Sequence, residues 1–334
     1  MQWNRIYTID ALAGVRGLPD ESVRTVVTSP PYFRQRDYGC AGQWGQEENP
    51  EAYVKHLVEL FGELHRVLRV DGTVWMVIGD SYASNSRGGQ AGLRHFGREY
   101  GPEYGLATGL HEGIKRKDLL GIPWTVALAL REHGWYLRQD IIWYKTNPMP
   151  ESVKDRCTRC HEYVFMFSKS DRYYYDHLAI AVPLSKASQA RLRQNIEHQK
   201  GSNRAWGKKN GPMKTAHTKG KQDGHGRRYA GFNGRRDSLQ EMPLVANRRS
   251  VWPIGTAMSK EEHYASFPAL LPQLCIKAAS READVVLDPF AGTGTTLVQA
   301  SILGRHYIGF DLNDKYVGIA KKRLKKLEGV FYRE

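Results

Sequence analysis

Two stretches of the chain carry residue types whose spacing could do chemistry. The first is Asp288-Pro289-Phe290-Ala291-Gly292-Thr293-Gly294-Thr295-Thr296. Apolar runs flank it, Val285 to Leu287 before and Leu297 to Leu303 after, which reads as strand, glycine turn, helix. Gly292 and Gly294 leave the backbone bare where the helix begins, so a ligand can lie against it. Ile308 to Leu312 reads as a second strand, and Asp311 falls where βαβ units use an acid to take ribose hydroxyls. A nicotinamide dinucleotide does not fit, because its fingerprint wants a third glycine where Leu297 stands. The pattern points to another nucleoside cofactor. The second stretch is Ser29-Pro30-Pro31-Tyr32, which ends the β-branched run Val23 to Thr28. Two prolines stop a ladder and stiffen the chain, as an ordinary strand terminator would. They also make a rigid platform. It presents a hydroxyl, backbone carbonyls and an aromatic face at the carboxyl end of a strand, where open α/β sheets bind ligands.

Asp288 to Thr296 resembles the S-adenosylmethionine-binding motif of amino-group DNA methyltransferases. Thr28-Ser29-Pro30-Pro31-Tyr32 resembles the catalytic motif of the same family, (Asp/Asn/Ser)-Pro-Pro-(Tyr/Phe/Trp). The catalytic motif lies N-terminal and the cofactor motif C-terminal, an order that resembles the permuted β group. Ile141 to Pro150, with His161-Glu162-Tyr163, resembles the motif that helps form the target-base pocket, so Lys145, Asn147 and Pro148 are candidates there. His263-Tyr264-Ala265-Ser266-Phe267-Pro268 resembles the cofactor-side motif His-x-x-x-Phe-Pro, which assigns His263 and Phe267 to the methionine end.

The resemblance implies an α/β, Rossmann-like methyltransferase fold with a mixed, mostly parallel sheet. It implies S-adenosyl-L-methionine as cofactor and double-stranded DNA as partner. Asp288 and Phe290 to Gly294, with Pro289 and Thr295 in the same turn, would carry the methionine moiety, and Asp311 the ribose. Asp10 would contact the adenine end; a salt bridge or a strand cap explains it as well. Members of the group often pair, and many belong to restriction–modification systems. A homodimer and a cognate restriction endonuclease are therefore further partners the resemblance suggests, in the cytoplasm of a bacterium, an archaeon or a phage host.

These residues need elements to position them. Tyr7 to Asp10 reads as a short strand, and Leu12, Val15 and Leu18 could line a helical turn. Glu51 to Leu68 is an amphipathic helix whose stripe is Tyr53, Leu57, Leu60, Leu64 and Val67. Asp71-Gly72 breaks it, and Thr73 to Ile78 is a buried strand. Asp80 at that strand's tip reads equally as a site residue or a polar cap. Ala83 to Asp118 is rich in Gly, Arg and Ser and reads as a mobile loop, which in this family often closes over DNA. Pro123 to Glu132 reads as a helix with proline in its first turn. Trp135 to Lys145 and His161 to Lys169 read as strands. A helix from about Pro268 to Ala279 leads into the cofactor strand. Asp314 to Leu327 is an amphipathic helix whose charges, Lys321-Lys322-Arg323 and Lys325-Lys326, a solvated face explains. Cys157-Thr158-Arg159-Cys160-His161 has the form of a haem-attachment site or half a zinc site. Haem attachment needs export, and Cys40 and Cys275 lack the paired spacing zinc would need, so no metal is expected.

The chain has 334 residues, 41% of them apolar, enough for one large α/β domain with insertions. Its net charge of +14 points to a polyanionic partner. No apolar run approaches the length of a membrane span, no signal peptide opens the chain, and four cysteines make no disulfide framework. The excess charge is concentrated. Residues 184–250 hold 16 Lys and Arg against 4 Asp and Glu, a net of +12. Alone such a segment could be a disordered basic linker. Set between two halves of an enzyme, 1–183 and 251–334, it reads as the DNA-recognition insert. Arg204, Arg227, Arg228, Arg235 and Arg236 are its candidate contacts.

An exocyclic amino nitrogen is a poor nucleophile because its lone pair is conjugated into the ring. Acceptors for its N–H bonds let it become tetrahedral as it attacks. Ser29 Oγ and the Pro30 carbonyl would be those acceptors, and Tyr32 would stack on the base. Catalysis would rest on positioning and aligned dipoles, with no covalent enzyme intermediate. The base must flip out of the duplex to be reached. In this family Ser at the first motif position leans towards cytosine N4, and Asp or Asn towards adenine N6. Adenine N6, an RNA amino-methyltransferase and a DNA-binding protein without activity are the alternative readings.

Overall fold

In the computed structural model, the described residues are 1–83, 114–193, 245–256 and 267–331. The chain opens with β1 (Arg5–Thr8) and α1 (Ala11–Arg16). The strand ends two residues before Asp10 because Asp10 is committed to the helix: its Oδ1 accepts the Ala13 N–H at 3.0 Å. β2 is Val23–Thr28, and α2 is Pro50–Val67. Asn49 caps α2 through the Ala52 N–H, Pro50 occupies its first turn, and the stripe Tyr53, Leu57, Leu60, Leu64 and Val67 is wholly buried.

β3 (Leu68–Ile78) corrects the sequence reading, since Asp71-Gly72 lies inside the strand rather than before it. A bulge absorbs the extra residues: the register runs Val23 to Leu68 and then Thr25 to Thr73. Two contacts hold it there. A side chain on Gly72 would meet the Arg24 carbonyl at 2.8 Å. Asp71 and Asp284 both pair with Arg24, a guanidinium only 4% exposed that needs compensating charge. α3 (Ile122–Glu132), β4 (Tyr136–Tyr144) and β5 (His161–Ser168) follow. β6 (Val182–Pro183), α4 (Lys186–Arg193) and β7 (Val245–Ala246) belong to a second compact unit, Ala181–Arg248, in which β6 and β7 pair antiparallel. The predicted contacts Arg204, Arg227, Arg228, Arg235 and Arg236 lie outside the described residues, as does most of the predicted loop 83–118.

The first unit resumes with β8 (Val251–Pro253), α5 (Leu270–Ala279), β9 (Val285–Asp288), α6 (Thr295–Ile302), β10 (His306–Asp311) and α7 (Asp314–Phe331). Its sheet has the order β1-β10-β9-β2-β3-β5-β4-β8. All neighbours are parallel except β5, which runs antiparallel to β3 and β4. Successive residues serve opposite faces. Val27, Trp75, Val77, Val286 and Val164 pack towards the layer of α5, α6 and α7. Val26, Val74, Met76, Leu287 and Phe165 pack towards α1, α2 and α3. From β9 the chain winds outward to β10, and from β2 it winds the other way to β3. The junction of β9 and β2 is therefore the switch point, where open α/β sheets leave a crevice.

Among the described residues no helix is long and apolar enough to cross a membrane. Leu57→Ala should lower unfolding stability by about 3 kcal/mol, as a fully buried leucine does when its cavity stays open. Loss of the cap in Asn49→Ala should cost about 1 kcal/mol. Equilibrium denaturant unfolding of both variants checks the ordering, and equal losses would contradict it.

Candidate active site

The two motifs meet at the switch point through a buried hydrogen bond. Thr28 Oγ1 donates to Asp288 Oδ1 at 2.7 Å, across 260 residues of sequence. The same oxygen accepts the Phe290 N–H at 3.1 Å, which turns the chain out of β9. Burial pushes the Asp288 carboxyl up to about 6, against these stabilising hydrogen bonds. Asp288 does not line the crevice; it holds together the residues that do.

The glycine turn follows. Gly292 and Gly294 have φ of +52° and +79°. A side chain on Gly294 would meet Ala320 Cβ at 2.8 Å, so Gly294 serves the approach of α7 and lies outside the crevice wall. Gly292 faces open space, and its N–H donates to Asp311 Oδ2 at 2.8 Å. Asp311 Oδ1 accepts from Asn313 N, also at 2.8 Å. Burial raises the Asp311 carboxyl above the usual range while these two N–H groups pull it down. Arg323 of α7 turns away from the solvated face that the sequence suggests for it. Its guanidinium donates to the Thr293 carbonyl at 2.7 Å and reaches both the Thr293 and Thr295 hydroxyls.

The crevice runs from this turn to the catalytic motif. Pro289, Phe290, Ala291, Gly292, Thr293, Thr295 and Asp311 line one side. Asp10, Ser29, Pro31 and Phe267 contribute to the other walls. Sequence reasoning missed the rest of the lining: Ala11 of α1, Tyr38, Cys40, Gln43 and Trp44 from the 33–49 segment, and Leu312, Asn313 and Tyr316 beyond β10. Trp44 donates its indole N–H to Asp10 Oδ2 at 3.0 Å and sets its ring edge-on to Phe290, centroids 5.4 Å apart. Tyr38 meets Tyr316 edge-on. Gln43 Oε1 accepts the Tyr38 N–H and shapes the strap that carries both rings. A lone tryptophan in a polar, glycine-punctuated stretch is the one signal that could have marked it.

At the catalytic motif Ser29 is half-buried and Pro30 buried. The Pro31 carbonyl accepts the Tyr53 hydroxyl at 2.8 Å. Among the described residues no donor reaches the Pro30 carbonyl. Tyr32 donates its hydroxyl to Glu162 Oε2 at 2.7 Å, and Glu162 Oε1 pairs with Lys145. Burial first, and Glu162 second, raise the Tyr32 phenol well above its ordinary value, so it stays protonated. The Asn147 side chain accepts the Thr256 N–H at 2.7 Å and so fastens the chain after β8. Pro148 beside it is half-buried. Asp80 resolves as a cap: its carboxylate takes the N–H groups of Gly121 and Ile122 at the start of α3. His263 lies outside the described residues. No three His, Cys, Asp or Glu side chains are grouped to hold a metal among the described residues, and Cys157 and Cys160 are free thiols.

A glycine turn anchored to an acid, at the switch point of a mostly parallel sheet, defines an α/β domain that takes a nucleoside cofactor. The family model N6_N4_Mtase, described as DNA methylase, matches residues 23–322. The chain is 38% identical over 320 residues to Type II methyltransferase M.SmaI of Serratia marcescens, covering 96% of this chain and 90% of that protein. It is 40% identical over 316 residues to Type II methyltransferase M.Cfr9I of Citrobacter freundii, covering 95% and 86%. Its fold is similar to that of PvuII DNA methyltransferase (cytosine-N4-specific), with a TM-score of 0.60, 17% identity and 99% and 96% of the two chains covered. A Thermus thermophilus protein complexed with S-adenosyl-L-methionine superposes with a TM-score of 0.54, at 23% identity and 96% and 93% coverage. The chain belongs to the N6/N4 DNA methylase family. Its cofactor is S-adenosyl-L-methionine.

The crevice fits that molecule by its chemistry. Aromatic rings suit a purine, and open backbone at Gly292 admits a close approach. The Asp311 carboxylate keeps lone pairs free beyond its two backbone bonds, as vicinal hydroxyls require. Carboxylates and ring faces both favour a cation.

Two outcomes follow. Asp311→Ala should weaken cofactor binding roughly tenfold or more, as loss of charge-assisted hydrogen bonds does, with DNA affinity nearly unchanged; calorimetry reads the first and electrophoretic shift the second. Asp288 binds its proton more tightly folded, at about 6, than at the ordinary 3.8. Its contribution to stability is full below about pH 4 and is lost as pH rises through about 6, some ~3 kcal/mol in all. Asp288→Asn keeps the acceptor for Thr28 and Phe290 without the charge. Its stability relative to the parent should therefore climb between pH 4 and 7, and a flat difference would reject the buried charge.

Proposed function

We propose that this chain transfers a methyl group from S-adenosyl-L-methionine to the exocyclic N4 of a cytosine flipped out of double-stranded DNA. The observation that carries the reading is the position of Ser29. It stands in a Ser-Pro-Pro-Tyr turn on the wall of the crevice, one residue from the Thr28–Asp288 bond that ties this turn to the cofactor turn. Family membership supports the reaction type. The Type II relatives support a role as the modifying half of a restriction–modification pair, acting in the cytoplasm.

When bound, S-adenosyl-L-methionine would supply an electrophilic methyl on a sulfonium, whose sulfur would keep the electron pair of the broken carbon–sulfur bond. The chain's own residues do the rest. Asp311 holds the ribose, and Asp10, Trp44 and Phe290 wall the adenine end. The turn from Pro289 to Thr293 carries the methionine moiety, with Phe267 and His263 closing it. Ser29 Oγ and the Pro30 carbonyl accept the amino N–H bonds as the nitrogen turns tetrahedral, and the nitrogen sheds one proton to water. Tyr32 supports the base, Lys145 and Pro148 border it, and Asn147 fixes their wall. The basic segment 184–250 neutralises phosphates and reads the sequence, with Arg204, Arg227, Arg228, Arg235 and Arg236 as contacts.

The test is incubation with methyl-labelled cofactor and mixed-sequence duplex DNA, then mass analysis of the nucleosides. N4-methylcytosine is the expected product, and Ser29→Ala should lower turnover about a hundredfold with little change in cofactor binding. N6-methyladenine would keep the mechanism and replace the base. Label only in RNA would move the substrate, and no transfer despite cofactor and DNA binding would favour a protein without activity.

A further inference from the structure

Glu162 has no part in the mechanism so far, yet two of its residues converge on it. Its carboxylate is 16% exposed and is gripped on both oxygens. The Tyr32 hydroxyl donates to Oε2 at 2.7 Å, and the Lys145 ammonium pairs with Oε1. Lys145 is itself steadied 5.0 Å from the centroid of the Trp143 ring. The Tyr32 ring packs on bare backbone at Gly79, where a Cβ would come within 2.7 Å of its Cε2. Tyr32 is thus fixed by a glycine along one edge and by an ion pair at its tip.

This fixes the direction of hydrogen bonds as well as position. A carboxylate only accepts, so Tyr32 must spend its single O–H on Glu162. The phenol oxygen can then only accept from its other neighbour, Ser29 Oγ, 3.5 Å away. Ser29 also has a single O–H. Pointed at Tyr32, it leaves the serine lone pairs facing away, where an amino group needs acceptors. A serine free to rotate would spend part of its time offering a proton to that nitrogen instead.

We propose that Glu162 is a positioning residue for methyl transfer: through Tyr32 it orients the Ser29 hydroxyl so that Ser29 accepts from the amino group being methylated. The inference rests on the role of Ser29 set out under Proposed function. Lys145 makes the arrangement one-way, because an ammonium has donors only and can face nothing but an acceptor.

Glu162→Gln tests direction without changing shape. Lys145 claims the amide oxygen, the amide nitrogen then faces Tyr32, and the phenol turns its proton towards Ser29. Turnover on duplex DNA should fall roughly tenfold or more, as when one aligned dipole at a reacting centre is lost. Cofactor affinity, KM for DNA and melting temperature should stay within about twofold or a few degrees of the parent. In a Tyr32→Phe background, where the relay is already cut, adding Glu162→Gln should change turnover no further. If Glu162→Ala folds poorly, the isosteric glutamine variant still decides. Unchanged turnover in Glu162→Gln would overturn the proposal, as would losses that multiply in the double variant or a fall explained by melting. Failure of the parent protein to methylate any duplex would overturn the proposed function instead, so the two failures are distinguishable.

Discussion

The bond between Thr28 and Asp288 is the constraint on which the rest of this molecule depends. It closes the junction of two strands that are neighbours in the sheet and lie at opposite ends of the chain. Each strand turns outward from it, β2 into the rigid proline turn and β9 into the glycine turn. One oxygen of Asp288 serves both sides, taking the Thr28 hydroxyl and the Phe290 N–H. Burying that carboxylate is unfavourable, as its raised proton affinity records. The compensation is geometric. The two turns are placed by a single bond rather than by independent packing.

Around that junction the protein builds walls from remote pieces. Trp44 leaves the strap after the catalytic motif and locks onto Asp10 and Phe290, so the beginning, the first quarter and the end of the chain share one surface. Arg323 holds the glycine turn from behind through two threonines and a carbonyl. Glu162, on the one antiparallel strand of the sheet, reaches the tip of Tyr32 and the ammonium of Lys145. Each grip replaces side-chain freedom with fixed geometry before any ligand arrives. Catalysis by alignment, as proposed for this site, requires that preorganisation.

The charge of the protein divides along the same lines. The crevice carries carboxylates, Asp10 and Asp311, and aromatic rings, which suit a cation. Most of the excess positive charge lies in 184–250, which suits a polyanion. The crevice and that segment thus differ in electrostatic character.

The local grammar can be read from the residues alone. The turn from Asp288 to Gly294, the acid Asp311 after a strand, the Ser29-Pro30-Pro31-Tyr32 platform and the stripe of α2 were all legible. Each depends on residues within a turn or two of one another, where periodicity, proline and glycine act directly. Asp71-Gly72 reads as a helix breaker, but a buried Arg24, not local propensity, draws the pair into the sheet as a bulge. Asp80 could be a cap or a site residue until α3 was brought above it. Arg323 looked like surface until α7 lay against the glycine turn. That Tyr32 meets Glu162 across 130 residues, and Thr28 meets Asp288 across 260, follows from the folded chain alone. Such pairings come from strand order in the sheet, and strand order is settled by long-range packing that leaves no spacing in the sequence to read.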